Sequence, residues 1–288
     1  MNGVELAWFE WRSDLRGSEP TILLAHATGF HARVWDQTIR ALGDRHVIAV
    51  DQRGHGRSEK TEIDHWNVFG RDLAAFVRHL DLRDVIGVGH SMGGHAMVEA
   101  AAACAGRFRA LVLIDPVIAS PGDYGEGGWK ISSLAGEKHP TAKRKNHFSS
   151  PQEMFERFES RAPYVVFERE ALRDYCDWGL LPAPDGNGLL LACPPETEAS
   201  VYMTSRTNPG VYTSVRAVKV PVLVLRAKVP PPDREAMDFS SSPTWPGLVN
   251  EFERGREVWF EDRTHFLPME IPGRVAELIL EHARNAGA

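Results

Sequence analysis

The sequence predicts an α/β protein: a doubly wound, mostly parallel sheet with an inserted, mainly helical cap. Three observations lead there. Short runs rich in Val, Ile and Leu recur with little polar alternation, as strands covered on both faces of a parallel sheet require. Stretches with helical spacing of apolar residues separate the earlier runs, and strand–helix alternation favours a parallel arrangement. The alternation stops between Ala119 and Val218 and then resumes. That stretch is too long for a loop inside a compact domain and is read as an insertion. Residues 1–118 and 219–288 are thus assigned to the core and 119–218 to the cap.

The elements follow in order. Val4–Trp11 is expected to pair at a sheet edge. Thr21–Ala27 (TILLAHA), His46–Asp51 (HVIAVD), Val85–Gly89 (VIGVG), Ala110–Asp115 (ALVLID), Val220–Ala227 (VPVLVLRA) and Glu257–Glu261 (EVWFE) are read as buried strands. Between the earlier ones, Trp66, Phe69, Leu73, Phe76, Val77 and Leu80 keep one helical face, with Asp64 as the expected N-cap. Met92–Ala105 is an Ala-rich, close-packing helix. Pro272 opens a last helix with Val275, Leu278, Ile279 and His282 on one side. In the insertion, Glu153–Arg161 and Glu168–Leu180 are read as helical, and Leu189–Pro195 as a short apolar run. Aromatics concentrate there; Trp129, Phe158, Tyr164 and Trp178 are expected to line a lid. Lys143-Arg144-Lys145 is read as a solvated charge run.

Composition narrows the function. The chain has 288 residues, 43% hydrophobic and 25% charged, which excludes a disordered or collagen-like protein. A formal net charge of −6 lacks the basic surplus of a duplex nucleic-acid binder. Three cysteines without a CxxC spacing argue against a disulfide framework or a Cys-rich zinc site. No stretch approaches the roughly 20 apolar residues of a membrane span. No secretory signal pattern opens the chain. The protein is therefore read as soluble and cytoplasmic, with a small-molecule substrate, no nucleic-acid or membrane partner and no metal; the oligomeric state is left open.

Chemistry concentrates in Gly89-His90-Ser91-Met92-Gly93-Gly94, between a strand and a helix. This is the G-x-S-x-G nucleophile elbow in the context it needs. A sharp turn strains the nucleophile's backbone, and side chains two positions either side would collide, so glycines stand there. The turn lifts Ser91 Oγ above the sheet and aims the Met92 N–H, at a helix N-terminus, at a bound carbonyl oxygen. His26-Ala27-Thr28-Gly29-Phe30 ends an earlier strand, and a backbone N–H from that loop can complete an oxyanion hole. Asp51–Ser58 (DQRGHGRS) ends the next strand, and Thr264-His265-Phe266 follows the last. His26 and His90 lie at non-reacting positions and are read as packing or loop-fixing groups, with His55 and Arg57 bracing the 51–58 loop.

Together HATGF (26–30), DQRGHGRS (51–58), GHSMGG (89–94) and THFLP (264–268) resemble the α/β-hydrolase superfamily over essentially the whole chain, with 119–218 in the place of that family's variable cap. The resemblance implies Ser91 as nucleophile, His265 as general base, and the backbone N–H groups of Met92 and Thr28 as the oxyanion hole. Ala27 stands where the family more often has glycine. In many relatives the acid lies just past the strand that here reads VPVLVLRA, but the residues that follow are Lys228-Val229-Pro230-Pro231-Pro232-Asp233. A known variation places it at the end of the preceding strand, here Asp115. Asp115 is preferred, with Asp233 the alternative and Asp238 behind it. The implied activity is that of a serine hydrolase, without organic cofactor or metal, cleaving a small, largely apolar ester or lactone through an acyl-enzyme. Carbon–carbon bond hydrolysis, thioester hydrolysis and cofactor-free perhydrolysis use the same constellation. A non-catalytic small-molecule receptor on this fold is the alternative from another class.

Overall fold

The computed structural model describes residues 1–124, 139–231 and 238–287. β1 (Trp8–Trp11) is followed by β2 (Thr21–Ala25), α1 (Asp36–Leu42), β3 (Val47–Val50), α2 (Asn67–His79), β4 (Val85–His90), α3 (Met92–Ala103) and β5 (Phe108–Ile114). The insertion carries β6 (His147–Phe148), α4 (Pro151–Phe158), α5 (Arg169–Trp178), β7 (Leu180–Pro182), β8 (Leu189–Leu191), α6 (Pro195–Met203) and α7 (Val211–Ala217). The chain rejoins the sheet with β9 (Val222–Arg226) and β10 (Gly255–Trp259) and continues through α8 (Leu267–Glu270) and α9 (Pro272–Asn285).

Seven strands form one sheet in the order β1-β3-β2-β4-β5-β9-β10. Every neighbouring pair is parallel except β1 with β3. The side-chain period of 2 sends Ile22 and Leu24 to one face and Leu23 and Ala25 to the other, and all four are buried. α1 and α9 cover the first face; α2, α3 and α7 cover the second. The carboxyl ends of β2, β4 and β5 thus share one edge, where ligands of open α/β sheets bind. His26, Ser91 and Asp115 each lie one residue beyond one of those strands.

Several elements depart from the sequence reading. Only Trp8–Trp11 is a strand at the amino end; Glu5 and Ala7 instead exchange hydrogen bonds with Ser58 and Glu59. α2 begins at Asn67, three residues past Asp64, and the His65 ring rather than Asp64 accepts the Asn67 N–H at 3.1 Å. α1 went unread because it is 7 residues long, too short for its apolar spacing to repeat. β10 is an edge strand with partly exposed residues, and Trp259 lies under the Arg226 guanidinium. The insertion, mainly helical as expected between β5 and β9, also carries a small antiparallel sheet of β6, β8 and β7. Its α4 starts on a Ser150 cap that accepts the Glu153 N–H, with Pro151 in the first turn.

Candidate active site

Ser91 occupies the turn between β4 and α3 with φ 57° and ψ −119°, a conformation that costs backbone energy and persists only where surroundings enforce it. A Cβ on Gly89 would come 2.3 Å from the Gly93 carbonyl oxygen, and one on Gly93 2.2 Å from that of Ala25. The second clash is with β2, so the neighbouring strand shapes the elbow as much as its own turn does. Ser91 Oγ is 2.9 Å from His265 Nε2, and His265 Nδ1 is 2.7 Å from Asp115 Oδ2. All three residues are buried.

Asp115 follows β5 with φ 43°. Its other oxygen, Oδ1, accepts the Ala227 N–H at 3.0 Å and the Ser242 hydroxyl, while the Thr244 hydroxyl, 3.3 Å away, donates to the Pro116 carbonyl oxygen at 2.7 Å. That leaves Oδ2 to the imidazole. His265 is held from behind as well: the His90 Nε2–H donates to its carbonyl oxygen at 2.8 Å, and its own N–H reaches the Phe239 carbonyl oxygen. Asp238, weighed as an acid, instead accepts the Ser240 N–H. Asp233 lies outside the described residues.

The loop after β2 is a turn closed by the Phe30 N–H on the Ala27 carbonyl oxygen at 3.2 Å, with Gly29 third at φ 78°, where such a turn favours glycine. His26 fixes its start. Its Nε2 accepts the Gln52 N–H at 3.0 Å, so its Nδ1 carries the proton that bonds the Ala27 carbonyl oxygen at 2.7 Å. In a trans peptide the Thr28 N–H points opposite that carbonyl. The Thr28 hydroxyl touches Met92 Sδ at 3.6 Å, so the two residues expected to supply the oxyanion donors meet through their side chains. Asp51 closes the loop by accepting the Ala32 and Arg57 N–H groups. Alanine at position 27 therefore fits the turn.

These observations agree with a match to the model of the alpha/beta hydrolase family over residues 22–278. The chain belongs to that family. This α/β hydrolase is 38% identical over 123 residues to a non-heme haloperoxidase of Rhodococcus erythropolis, covering 40% of the chain and 42% of that protein. It is 39% identical over 102 residues to the 2-(acetamidomethylene)succinate hydrolase of Mesorhizobium japonicum, covering 35% of the chain and 37% of that protein. The matches thus span less than half the length of these relatives. A crystal structure of E-2-(acetamidomethylene)succinate hydrolase superposes with a TM-score of 0.76 at 24% identity, over 98% of this chain and 97% of that one, a likeness of fold.

Aromatic rings surround the Ser91–His265 edge of this hydrolase. Phe239 and Phe266 flank His265, and Phe30 and Phe167 meet Phe266. Tyr202 packs on Phe239, and Tyr164 packs between Phe158 and Phe167. Trp178, expected in the lid, turns away: Arg33 lies 3.8 Å over its ring and Phe9 of β1 packs edge-on, so it fastens α5 to the core. Trp129 lies outside the described residues. Arg144, read as solvated, instead pairs with the buried Glu198 and donates to the hydroxyls of Tyr164 and Tyr175. The sequence carried no signal for Glu198, Ser242 or Thr244, whose partners are distant in the chain. Among the described residues no group of three or more His, Cys, Asp or Glu side chains could hold a metal, and no helix is long and apolar enough to cross a membrane.

Burial pushes the His26 and His55 imidazoles down to about 3, so both stay neutral under physiological conditions. The unfolded chain protonates each near pH ~6.5. Between those values the unfolded state binds more protons, so the stability these groups contribute is lost as pH falls from about 6.5 toward 3. Ring nitrogen NMR signals of both should show no titration down to pH ~5; a midpoint near 6.5 for either would contradict the burial argument.

Proposed function

We propose that this α/β hydrolase is a serine hydrolase that cleaves a small, largely apolar carboxylic ester or lactone. The observation that carries the reading is the Ser91–His265–Asp115 hydrogen-bond chain at a strained strand–helix turn. His265 Nε2 takes the Ser91 proton as Oγ attacks the carbonyl carbon. Asp115 holds the proton on Nδ1 and stabilises the imidazolium. The Met92 and Thr28 N–H groups receive the oxyanion, in a site where fixed dipoles need no reorganisation. The imidazolium then protonates the leaving alkoxide. A water, deprotonated by His265, releases the acid and restores Ser91.

The rings of Phe239 and Phe266 beside His265, with Phe30 and Phe167 against Phe266, favour an apolar acyl or alcohol group. The resemblance to a non-heme haloperoxidase adds a second reading, perhydrolysis, in which hydrogen peroxide replaces water in deacylation and a peracid leaves. A fluorophosphonate probe should label Ser91, and p-nitrophenyl esters of graded acyl length and ring lactones should be hydrolysed. A binding protein without catalysis would give neither result. Peracid formation from acetate and peroxide would favour the second reading.

Cap and core aromatics should separate by role. Phe239→Ala and Phe167→Ala are expected to shift the ratio of kcat/KM between short and long acyl esters by about tenfold, the worth of one or two methylenes in a pocket. Trp178→Ala should lower Tm and leave that ratio unchanged, because its ring packs on Arg33 and Phe9. If Trp178→Ala altered acyl preference and the two Phe variants did not, the placement of the substrate pocket would be wrong.

A further inference from the structure

We propose that the Arg144–Glu198 pair of the cap is a positioning device for the oxyanion loop, so that the cap sets the reactivity of Ser91 besides admitting substrate. The inference rests on the serine-hydrolase reading. Its starting point is a carboxylate in contact with backbone. Glu198 of α6 lies against Gly29; a Cβ there would stand 2.6 Å from Glu198 Oε1. Gly29 is the left-handed residue of the turn that orients the Thr28 peptide. Arg144, from the segment before β6, clamps the same carboxylate and carries on to the hydroxyls of Tyr164 and Tyr175. The Tyr175 ring packs 5.0 Å from Phe30, and its carbonyl oxygen accepts the His31 Nε2–H at 3.0 Å.

Residues 28–32 are therefore gripped from two sides. The core holds Thr28 through Met92 and Ala32 through Asp51. The cap packs Glu198 against Gly29 and holds Phe30 and His31 through Tyr175. Stability is a weak account of a buried ion pair. Side-chain exposures of 21% for Arg144 and 7% for Glu198 mean that most of their hydration is lost, and such pairs are often replaced by apolar residues at no cost. Clamped by Arg144, the Glu198 carboxylate does offer a fixed packing contact on a turn whose N–H must meet a developing oxyanion. Small misplacements of such a donor cost rate steeply.

The test compares the intact protein with Glu198→Gln and with the double variant Arg144→Met/Glu198→Met, which keeps volume and leaves no unpaired charge. The readouts are p-nitrophenyl acetate kinetics, inhibition by phenylboronic acid, whose tetrahedral adduct on Ser91 occupies the oxyanion hole, and Tm. In both variants kcat is expected to fall about 10- to 100-fold with KM within about threefold, and the inhibition constant for the boronic acid to rise in step with the fall in kcat. The double variant should melt close to the wild type. Wild-type kcat in the double variant would overturn the proposal. So would a kcat loss that follows Tm while boronic acid affinity stays unchanged, since that is what a merely structural pair predicts. A wild type that neither hydrolyses esters nor reacts with a fluorophosphonate would defeat the serine-hydrolase reading itself and the proposal with it.

Discussion

Ser91→Ala is expected to lower ester turnover by about 10⁴- to 10⁶-fold, the loss measured when a nucleophile is removed from such a unit. The change deletes the oxygen that lies 2.9 Å from His265 Nε2 and leaves the rest of the site in place. Ser91 carries its strain in the backbone, at φ 57°, and alanine meets the same strain there. Serine and alanine therefore differ little in what they ask of the turn, and Tm should move by no more than ~2 °C, the effect of a few tenths of a kcal/mol in a domain of this size. KM for a substrate that still binds should be nearly unchanged. Burst kinetics with a p-nitrophenyl ester, together with fluorophosphonate labelling, checks this in one preparation. Retention of near-native turnover would remove Ser91 from the mechanism and with it the function proposed above.

Why these residues could be found in the sequence, while their supports could not, has a physical basis. The elbow is local: a strand, a strained serine, a helix, and glycines where Cβ atoms would strike Gly93 and Ala25. All of that lies within a dozen consecutive residues apart from the β2 contact. His265 and Asp115 were legible from position, because each closes a strand or follows the last one at a single sheet edge. The residues that fix them act across the fold. Ser242 and Thr244 reach Asp115 from a loop beyond β9, and His90 reaches the carbonyl of His265 from the elbow itself. No spacing rule links such pairs. Short elements escaped for another reason. α1 and the strands of the cap are too brief for a period to repeat. Arg144 was misread because its neighbours Lys143 and Lys145 do face solvent, as a charge run usually does, whereas Arg144 turns inward to Glu198.

Asp115→Asn is the sharpest test of the acid. Asparagine keeps the shape and accepts the left-handed backbone, at φ 43°, more readily than most residues. What it cannot keep is the hydrogen-bond pattern. Oδ1 of Asp115 accepts from the Ala227 N–H and from the Ser242 hydroxyl. In the variant the amide oxygen must stay with those donors, above all the backbone N–H, which cannot turn away. The amide nitrogen then faces His265 Nδ1, 2.7 Å away, and needs an acceptor there. The imidazole must move its proton to Nε2, the atom that should receive the proton of Ser91. Fold and substrate binding survive while the base is switched off, and turnover is expected to fall about 10⁴-fold, as when the same exchange is made in a serine protease. Asp233→Asn should be mild by comparison. Ser242→Ala should also cost far less than Asp115→Asn, since the Ala227 backbone donor remains. Steady-state kinetics of the three variants settles the assignment. If Asp233→Asn were crippling and Asp115→Asn mild, the acid would be Asp233, and Asp115 would be left as the residue that ties the end of β5 to Ala227.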